Sequence, residues 1–242
     1  MSKYGVVDPE TAELSTDDVY AGLVEAILSR DLRPGMKLSE ETIASSFGVN
    51  RMVVRAVLNR LHGEALVEIH KNRGAYVSSP TVEEAREIFD LRIVLEREVA
   101  ARLARQITPA QLDELQGQVS DHRQSYRAGR DAESRRFAER FHQRAAAMVG
   151  NRVLEATLGK LITRSALVMA LYGRSSSSEC GIDEHDAILE MLRKRDAAAA
   201  SDAMVHHLEH ILARVSLDGE AVEEPGLGDI LARYALRPAR TK

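Results

Sequence analysis

The chain has 242 residues, 44% of them hydrophobic, which is enough for one or two domains with a real core. The formal net charge of −4 excludes nucleic-acid binding through overall charge alone, so any such binding needs a local basic surface. The single cysteine, Cys180, excludes an intramolecular disulfide, as is usual in the reducing cytosol. The sequence also has no apolar run of membrane length and no signal-peptide pattern, so we expect a cytoplasmic protein without a membrane partner.

The first predicted helix begins after a polar run that offers cap residues, Ser15 to Asp18. Residues 1–14 before it are expected to form a disordered tail. Val19, Leu23 and Ile27 recur at helical spacing and give this helix a core face. The segment from Leu32 to Gly35 then ends it.

Two further helices with a tight turn between them are predicted next. Ser39 caps the second helix, and Gly48 ends it because glycine tolerates the left-handed backbone of the turn. Asn50 caps the third helix, which runs to about His62. Four of its residues have the spacing of a buried face: Val54, Val57, Leu58 and Leu61.

Two alternating runs, residues 66–69 and 75–77, predict a hairpin with a basic tip at residues 70–74. Helix, turn, helix and hairpin in this order describe a winged helix-turn-helix over residues 15–78. Arg51 and Arg55 are four residues apart and share one helix face, where guanidinium groups can bridge phosphates or bind a guanine edge. As alternatives, the two arginines are ordinary solvated charges and the hairpin tip is a plain polar turn. The order of the elements favours DNA contact over both.

The remaining sequence shows almost only helical periodicity from residue 79 to 218, with breakers near residues 108, 129, 150, 173–181 and 195. This pattern predicts an antiparallel all-α bundle of six or seven helices, so the whole chain is expected to be mainly α. Residues 219–242 form an extension beyond both domains. In it, residues 230–236 predict a short helix that could dock on a partner subunit, and residues 237–242 are a basic tail.

The N-terminal residues resemble the GntR family of bacterial transcription regulators, on the stretch LSEETIASSFGVNRMVVRAVLNRLHGEALVEIHKNRGAYV. The departures are Asn50 where Ser is usual, Met52 where Thr is common, Val53 for Pro and Ala65 for Gly. Asn50 and Met52 are expected to alter which bases are read, and Val53 and Ala65 to affect the local backbone. The DNA contacts that pattern and resemblance together imply are Asn50, Arg51, Met52 and Arg55 in the third helix, and Lys71, Asn72, Arg73 and Gly74 in the wing.

The C-terminal residues resemble the FCD ligand-binding domain of the FadR-type branch of this family, on stretches around residues 90–96, 137–142, 184–188 and 203–208. In many such domains one aspartate and three histidines hold a divalent metal of the zinc or nickel type. By position the histidines are His142, His185 and His207. Ala138 stands where the aspartate is expected, so the fourth ligand is Glu139, Asp186 or a water, or else the site is metal-free.

The same resemblance implies effector contacts. Arg92 is a candidate carboxylate clamp, although a salt bridge to Glu96, four residues on, is an alternative. Arg164 and Tyr172 are further candidates for the effector site. Residues 173–178 form a loop that either closes over the pocket or is simply solvated.

These expectations describe a homodimeric regulator, not an enzyme. It would bind a palindromic operator in double-stranded DNA, and a small organic acid in the helical domain would control it, with repression relieved by ligand the commoner mode in the family. Two alternatives stay open. One is a metal-free regulator that binds an apolar or sugar-type ligand, and the other is a metal-dependent hydrolase, against which no motif places a general base beside the histidines.

Overall fold

The computed structural model describes residues 14–29, 31–172, 179–214 and 227–235. These residues form two units, which we call the N-terminal unit (described residues up to Ser78, with 227–235) and the helical unit (Ser79 to Arg214). The mainly α fold predicted from the sequence is confirmed. Residues 1–13 of the tail expected at 1–14 lie outside the described residues, as do the expected loop at 173–178 and the basic tail at 237–242.

The N-terminal unit contains α1 (Thr16–Leu28), β1 (Lys37–Leu38), α2 (Glu40–Phe47), α3 (Arg51–Gly63), β2 (Val67–His70) and β3 (Gly74–Val77). The strands form an antiparallel sheet in the order β1-β3-β2. The hairpin β2-β3 was predicted, but β1 was not, since two residues are too few to show an alternating pattern.

Side-chain caps explain where the helices of this unit begin. The hydroxyl of Ser39 accepts a hydrogen bond from the Thr42 amide at 3.3 Å, and the Asn50 side chain accepts one from the Val53 amide at 3.1 Å. Gly48, between α2 and α3, has φ 64°, the left-handed conformation that the turn requires. Ala65, where the related pattern has glycine, also adopts a left-handed φ of 57°, which costs a residue with a Cβ about 1–2 kcal/mol.

The helical unit consists, in its described part, of α4 (Val82–Gln106), α5 (Pro109–Arg127), α6 (Asp131–Met148), α7 (Arg152–Tyr172), α8 (Glu179–Arg193) and α9 (Ala197–Ala213). The breaks near residues 108, 129, 150 and 195 fall at the predicted positions. Of the break predicted at 173–181, residues 173–178 lie outside the described residues and residues 179–181 belong to α8. Its core is mainly aliphatic and includes the buried rings of Phe89 and Phe141. Helix α4 packs along α9, and α5 packs on α6 and α8. Within the described ranges, no helix is both long and apolar enough to span a membrane.

The C-terminal extension departs from the expectation that it lies outside both domains. Helix α10 (Leu227–Ala235) packs on α1 and α2 of the same chain, so the described helix does not need a partner subunit to bury its apolar face. Ile230 and Leu231 are completely buried there. The hydroxyl of Tyr234 lies 2.7 Å from that of Ser29 and donates to Asp31.

We expect Leu231→Ala to lower the local free energy of unfolding of the N-terminal unit by about 2–5 kcal/mol, since the substitution opens a cavity under α1 and α2. Amide hydrogen exchange of α1 and α2 in the full chain measures this. Arg233→Ala is the matched control, because Arg233 is exposed on the same helix and its ion pair with Asp31 spans 3.7 Å. Equal exchange in the Leu231→Ala variant and the wild type would contradict the packing.

Candidate functional site

Helix α3 has one buried face and one exposed face. Its four predicted core residues are buried against the rest of the N-terminal unit. Arg51 and Arg55 lie on the exposed face, and the Met52 side chain is 71% exposed. An exposed apolar side chain beside two arginines suits a DNA groove, where the methyl group of thymine is an apolar contact.

The two arginines have partners on the preceding helix. Arg55 Nε lies 2.8 Å from a carboxylate oxygen of Glu40, and Arg51 Nη2 lies 3.2 Å from one of Glu41. Ion pairs this exposed are worth about 0–1 kcal/mol, so a phosphate or a guanine edge can replace the glutamate. The glutamates therefore hold the guanidinium groups at the surface of the helix.

The wing tip is exposed from Lys71 to Gly74. Asn72 and Gly74 both have positive φ, 62° and 96°, which the tight reversal between β2 and β3 requires. Tyr76 donates a hydrogen bond to the carbonyl of Arg73 at 3.1 Å and supports the tip. The predicted wing residues thus lie together on one exposed turn, whereas the Asn50 side chain is used as the cap of α3.

Three buried histidines meet in the helical unit. His142 comes from α6, His185 from α8 and His207 from α9. Their Nε2 atoms lie 3.4 Å (142–185), 3.1 Å (185–207) and 3.3 Å (142–207) apart. We call this group the three-histidine site.

Two carboxylates fix the orientation of the rings. The Nδ1 atom of His142 lies 2.5 Å from Glu96, and that of His207 lies 2.6 Å from Glu184. Burial alone would raise the pKa of both glutamates, but their ion pairs and hydrogen bonds outweigh it and lower each pKa to about 2. Since the carboxylates are ionised, Nδ1–H donates to them and Nε2 keeps its lone pair. Sequence reasoning identified Glu96 only as a partner of Arg92 and missed the role of Glu184.

The donor set fits a divalent metal of the zinc type. Zinc–nitrogen bonds of about 2.0–2.1 Å in a tetrahedral site place neighbouring nitrogens about 3.3 Å apart, close to the observed spacing. The histidine–carboxylate pairs are the supporting contacts that metal-binding imidazoles commonly have. The third ring is less supported, since the buried Nδ1 of His185 has no hydrogen-bond partner among the residues that the structure describes.

A cavity of about 120 Å³ lies against the three histidines. Arg92, Arg135 and Arg214 line it together with apolar residues of α7 and α9. A cavity of about 150 Å³ is known to hold a benzene-sized molecule, so this space suits a small ligand. Most of the wall is apolar, and the three arginines among its residues are candidates for binding an anionic group of a ligand.

The structure places the candidate fourth ligands away from the three nitrogens. Ala138 lines the cavity one turn before His142 and offers no donor atom. Glu139 also lines it, but only the three histidines have ligand atoms within 4.8 Å of one another there. Burial raises the pKa of Glu139 to about 7. Asp186 instead pairs with Arg123.

The predicted effector residues are divided by the structure. Arg92 is buried, lines the cavity and donates hydrogen bonds to Glu96 at 2.7 Å and to Ser165 at 2.6 Å. The salt bridge to Glu96 and a place in the cavity wall were alternatives in the sequence, and the structure has both. Arg164 pairs with Glu84, and Tyr172 donates to the carbonyl of Pro80 at 2.8 Å. Neither lines the cavity, because both side chains are directed toward the start of α4, which corrects the expectation that they bind effector there.

Buried neutral histidines should make the metal-free protein less stable in acid. Burial lowers the pKa of His122 and His207 to about 4 and that of His185 well below its usual value. Between about pH 6.5 and 4 the unfolded chain therefore binds protons that the folded chain does not, and the free energy of unfolding falls as pH falls. Glu139 has the opposite effect on the free energy of unfolding, because burial raises its pKa to about 7 and the folded chain then binds the extra proton. This is one group against three histidines, so we expect the histidines to decide the sign. Urea unfolding after chelation should show a lower stability at pH 5 than at pH 7; equal or higher stability at pH 5 would contradict this assignment.

Comparison with known families agrees with both parts of this geometry. A family model described as the FCD domain matches residues 87–210, just over half of the chain. A second, described as bacterial regulatory proteins of the gntR family, matches residues 15–77. Helix α10 lies outside both matched ranges.

Relatives and solved structures give the same result. The chain is 28% identical over 191 residues to the transcriptional repressor RspR of Escherichia coli, covering 76% of this chain and 84% of RspR. It is 25% identical over 193 residues to the regulator YdhC of Bacillus subtilis, covering 79% of this chain and 86% of YdhC. A GntR regulator from Rhodococcus sp. RHA1 shares the fold with a TM-score of 0.70 at 23% identity, over 82% of this chain and 95% of that one. The E. coli protein McbR/YncC also shares the fold, with a TM-score of 0.72 at 21% identity, over 86% of this chain and 97% of that one.

The helix-turn-helix surface, the cavity beside the three histidines and these matches lead to one assignment. Its family and relatives are regulators of transcription and not enzymes. The chain belongs to the GntR family of bacterial transcriptional regulators, with an N-terminal DNA-binding domain and a C-terminal FCD effector-binding domain.

Proposed function

We propose that this regulator acts in the cytoplasm as a homodimer on a palindromic operator, and that a small organic acid bound beside a divalent metal in the FCD cavity controls it. The observation that carries the proposal is the convergence of three imidazole Nε2 atoms within 3.4 Å of one another at the wall of an arginine-lined cavity. Imidazole nitrogens with free lone pairs suit zinc or nickel.

The chain's own residues would do most of the binding. His142, His185 and His207 would hold the metal, with Glu96 and Glu184 keeping two of the rings in the binding orientation. The metal would supply a positive centre for an effector carboxylate. Glu139 is the one carboxyl group in the cavity wall for which burial raises the pKa to about 7, so it can receive a hydroxyl or a second acid group with little repulsion.

Arginines suit the rest of such an effector. Arg92 is held rigidly by Glu96 and Ser165, so its guanidinium presents a fixed charge to the cavity. Arg135 and Arg214 line other parts of the wall. A cavity of about 120 Å³ favours an acid of few carbon atoms over a long acyl chain.

Two helix-turn-helix domains related by two-fold symmetry would bind the two operator half-sites. The exposed side chains of Arg51, Met52 and Arg55 would enter the major groove, and the wing tip would contact the backbone. Leu91 and Val94, 45% and 64% exposed on α4, support a subunit interface in the helical domain. Effector binding changes operator affinity only if the ligand prefers one arrangement of the dimer. RspR, to which the chain is similar, is a transcriptional repressor, and this supports repression as the mode of regulation.

Two measurements on the purified protein test this proposal. Selection from random duplex DNA should enrich a short palindrome, and its absence from the retained pool would contradict the operator. Metal analysis after purification without chelator should give at least one zinc-type ion per chain. A stoichiometry near zero would favour the metal-free regulator, an alternative that Ala138 at the usual aspartate position supports.

A further inference from the structure

A second group of possible metal ligands lies on the outer side of Glu184. Cys180 and Glu184 are one turn apart on α8, and His210 is on α9. Sγ of Cys180 lies 3.3 Å from Oε1 of Glu184, and Nδ1 of His210 lies 2.6 Å from the same oxygen. The sulfur, oxygen and nitrogen atoms all lie within 4.8 Å of one another. We call these three residues the outer cluster.

We propose that the outer cluster is a second transition-metal site, for a cation of the zinc or cobalt type, in addition to the three-histidine site. A thiolate, an imidazole and a carboxylate are the three side-chain donors that zinc uses in proteins, and solvent can complete the coordination of a partly exposed ion. The proposal does not depend on the metal invoked in the proposed function.

The geometry is close to a bound one. In a tetrahedral site the nitrogen and oxygen would be about 3.3 Å apart, so the hydrogen bond between His210 and Glu184 would have to open by about 0.7 Å. Cys180 is exposed and the His210 side chain is 46% exposed, so both can move by this amount without disturbing the core. Binding of the ion would release the Cys180 thiol proton to solvent. His210 would bind through Nδ1 as a neutral imidazole with its proton on Nε2, and the hydrogen bond to Glu184 would be replaced by the ion.

Glu184 connects the two sites through its two oxygens. Oε1 belongs to the outer cluster, and Oε2 accepts a hydrogen bond from His207 of the three-histidine site at 2.6 Å. The Arg214 guanidinium lies 3.8 Å from Oε2, the oxygen that also accepts from His207. A cation in the outer cluster would withdraw charge from Glu184 and thereby weaken its support of His207.

Cobalt(II) titration of the full chain tests the outer cluster, because a thiolate ligand adds an intense near-ultraviolet charge-transfer band that imidazole and carboxylate ligands do not give. Cys180 is the only cysteine, so the origin of the band is unambiguous. We expect two cobalt ions per chain in the wild type, and the loss of one ion and of the band in both Cys180→Ser and His210→Ala. His206→Ala, exposed on α9 and outside the cluster, should keep both.

The outcomes separate this site from the three-histidine site. One cobalt ion without a charge-transfer band overturns the outer cluster and leaves the three-histidine site. One ion with a band that both variants remove supports the outer cluster and contradicts the inner metal. A band that persists in His210→Ala overturns the proposal, because the thiolate would then bind metal outside this cluster.

Discussion

His185→Ala is expected to lower the metal content by one ion per chain, through loss of the three-histidine site, and to abolish the effector response. His185 Nε2 lies 3.1 and 3.4 Å from the other two Nε2 atoms, so its loss leaves two protein ligands, fewer than the three that open zinc sites have. Operator binding without effector should persist, because no residue of the N-terminal unit is changed. Metal analysis and operator titrations with and without effector measure both quantities.

His206→Ala is the matched control for this substitution. His206 is exposed on α9, next in sequence to His207, and is not among the metal-ligand groups of the described chain. It should keep the metal and the effector response, and circular dichroism should show that both variants are folded. A normal metal content in His185→Ala would contradict the three-histidine site.

Arg55→Ala is expected to weaken specific operator binding by about 1–3 kcal/mol, roughly 5- to 150-fold, if its guanidinium binds a base edge. The variant also leaves Glu40 without its partner at 2.8 Å, and the unpaired carboxylate would repel phosphate. The change should concentrate on one position of each half-site in a repeated DNA selection. A uniform loss with a salt slope lower by about one would instead indicate a phosphate contact.

Arg102→Ala provides the control with the same change in charge. Arg102 belongs to the helical unit, where its side chain is 44% exposed on α4 and pairs with Glu98. It should leave operator affinity within a factor of about two, since a single surface charge contributes little at physiological salt. Unchanged affinity in Arg55→Ala as well would exclude α3 as the recognition helix.

Much of the N-terminal unit could be predicted because its signals are local. Ser39 and Asn50 cap helices whose amides are three residues away, and Gly48 sits where the turn needs left-handed backbone. The helix boundaries in the FCD domain followed from glycine, proline and aspartate breakers in the same way. The two-residue strand β1 was not predicted, because it pairs with Ala75 and Tyr76, far along the chain, and has no local pattern of its own.

The sequence by itself determined which residues are helical, which face of α3 is apolar and, through resemblance, which three histidines belong together. Only the tertiary structure decided their partners. His142 and Glu96 are 46 residues apart, and His207 and Glu184 are 23 apart, so their contacts depend on which helix faces pack together. The same holds for the outer cluster and for α10, whose fully buried Ile230 and Leu231 are covered by helices some 200 residues earlier in the chain. Periodicity reports that a face is apolar, but packing of the whole chain selects what covers it.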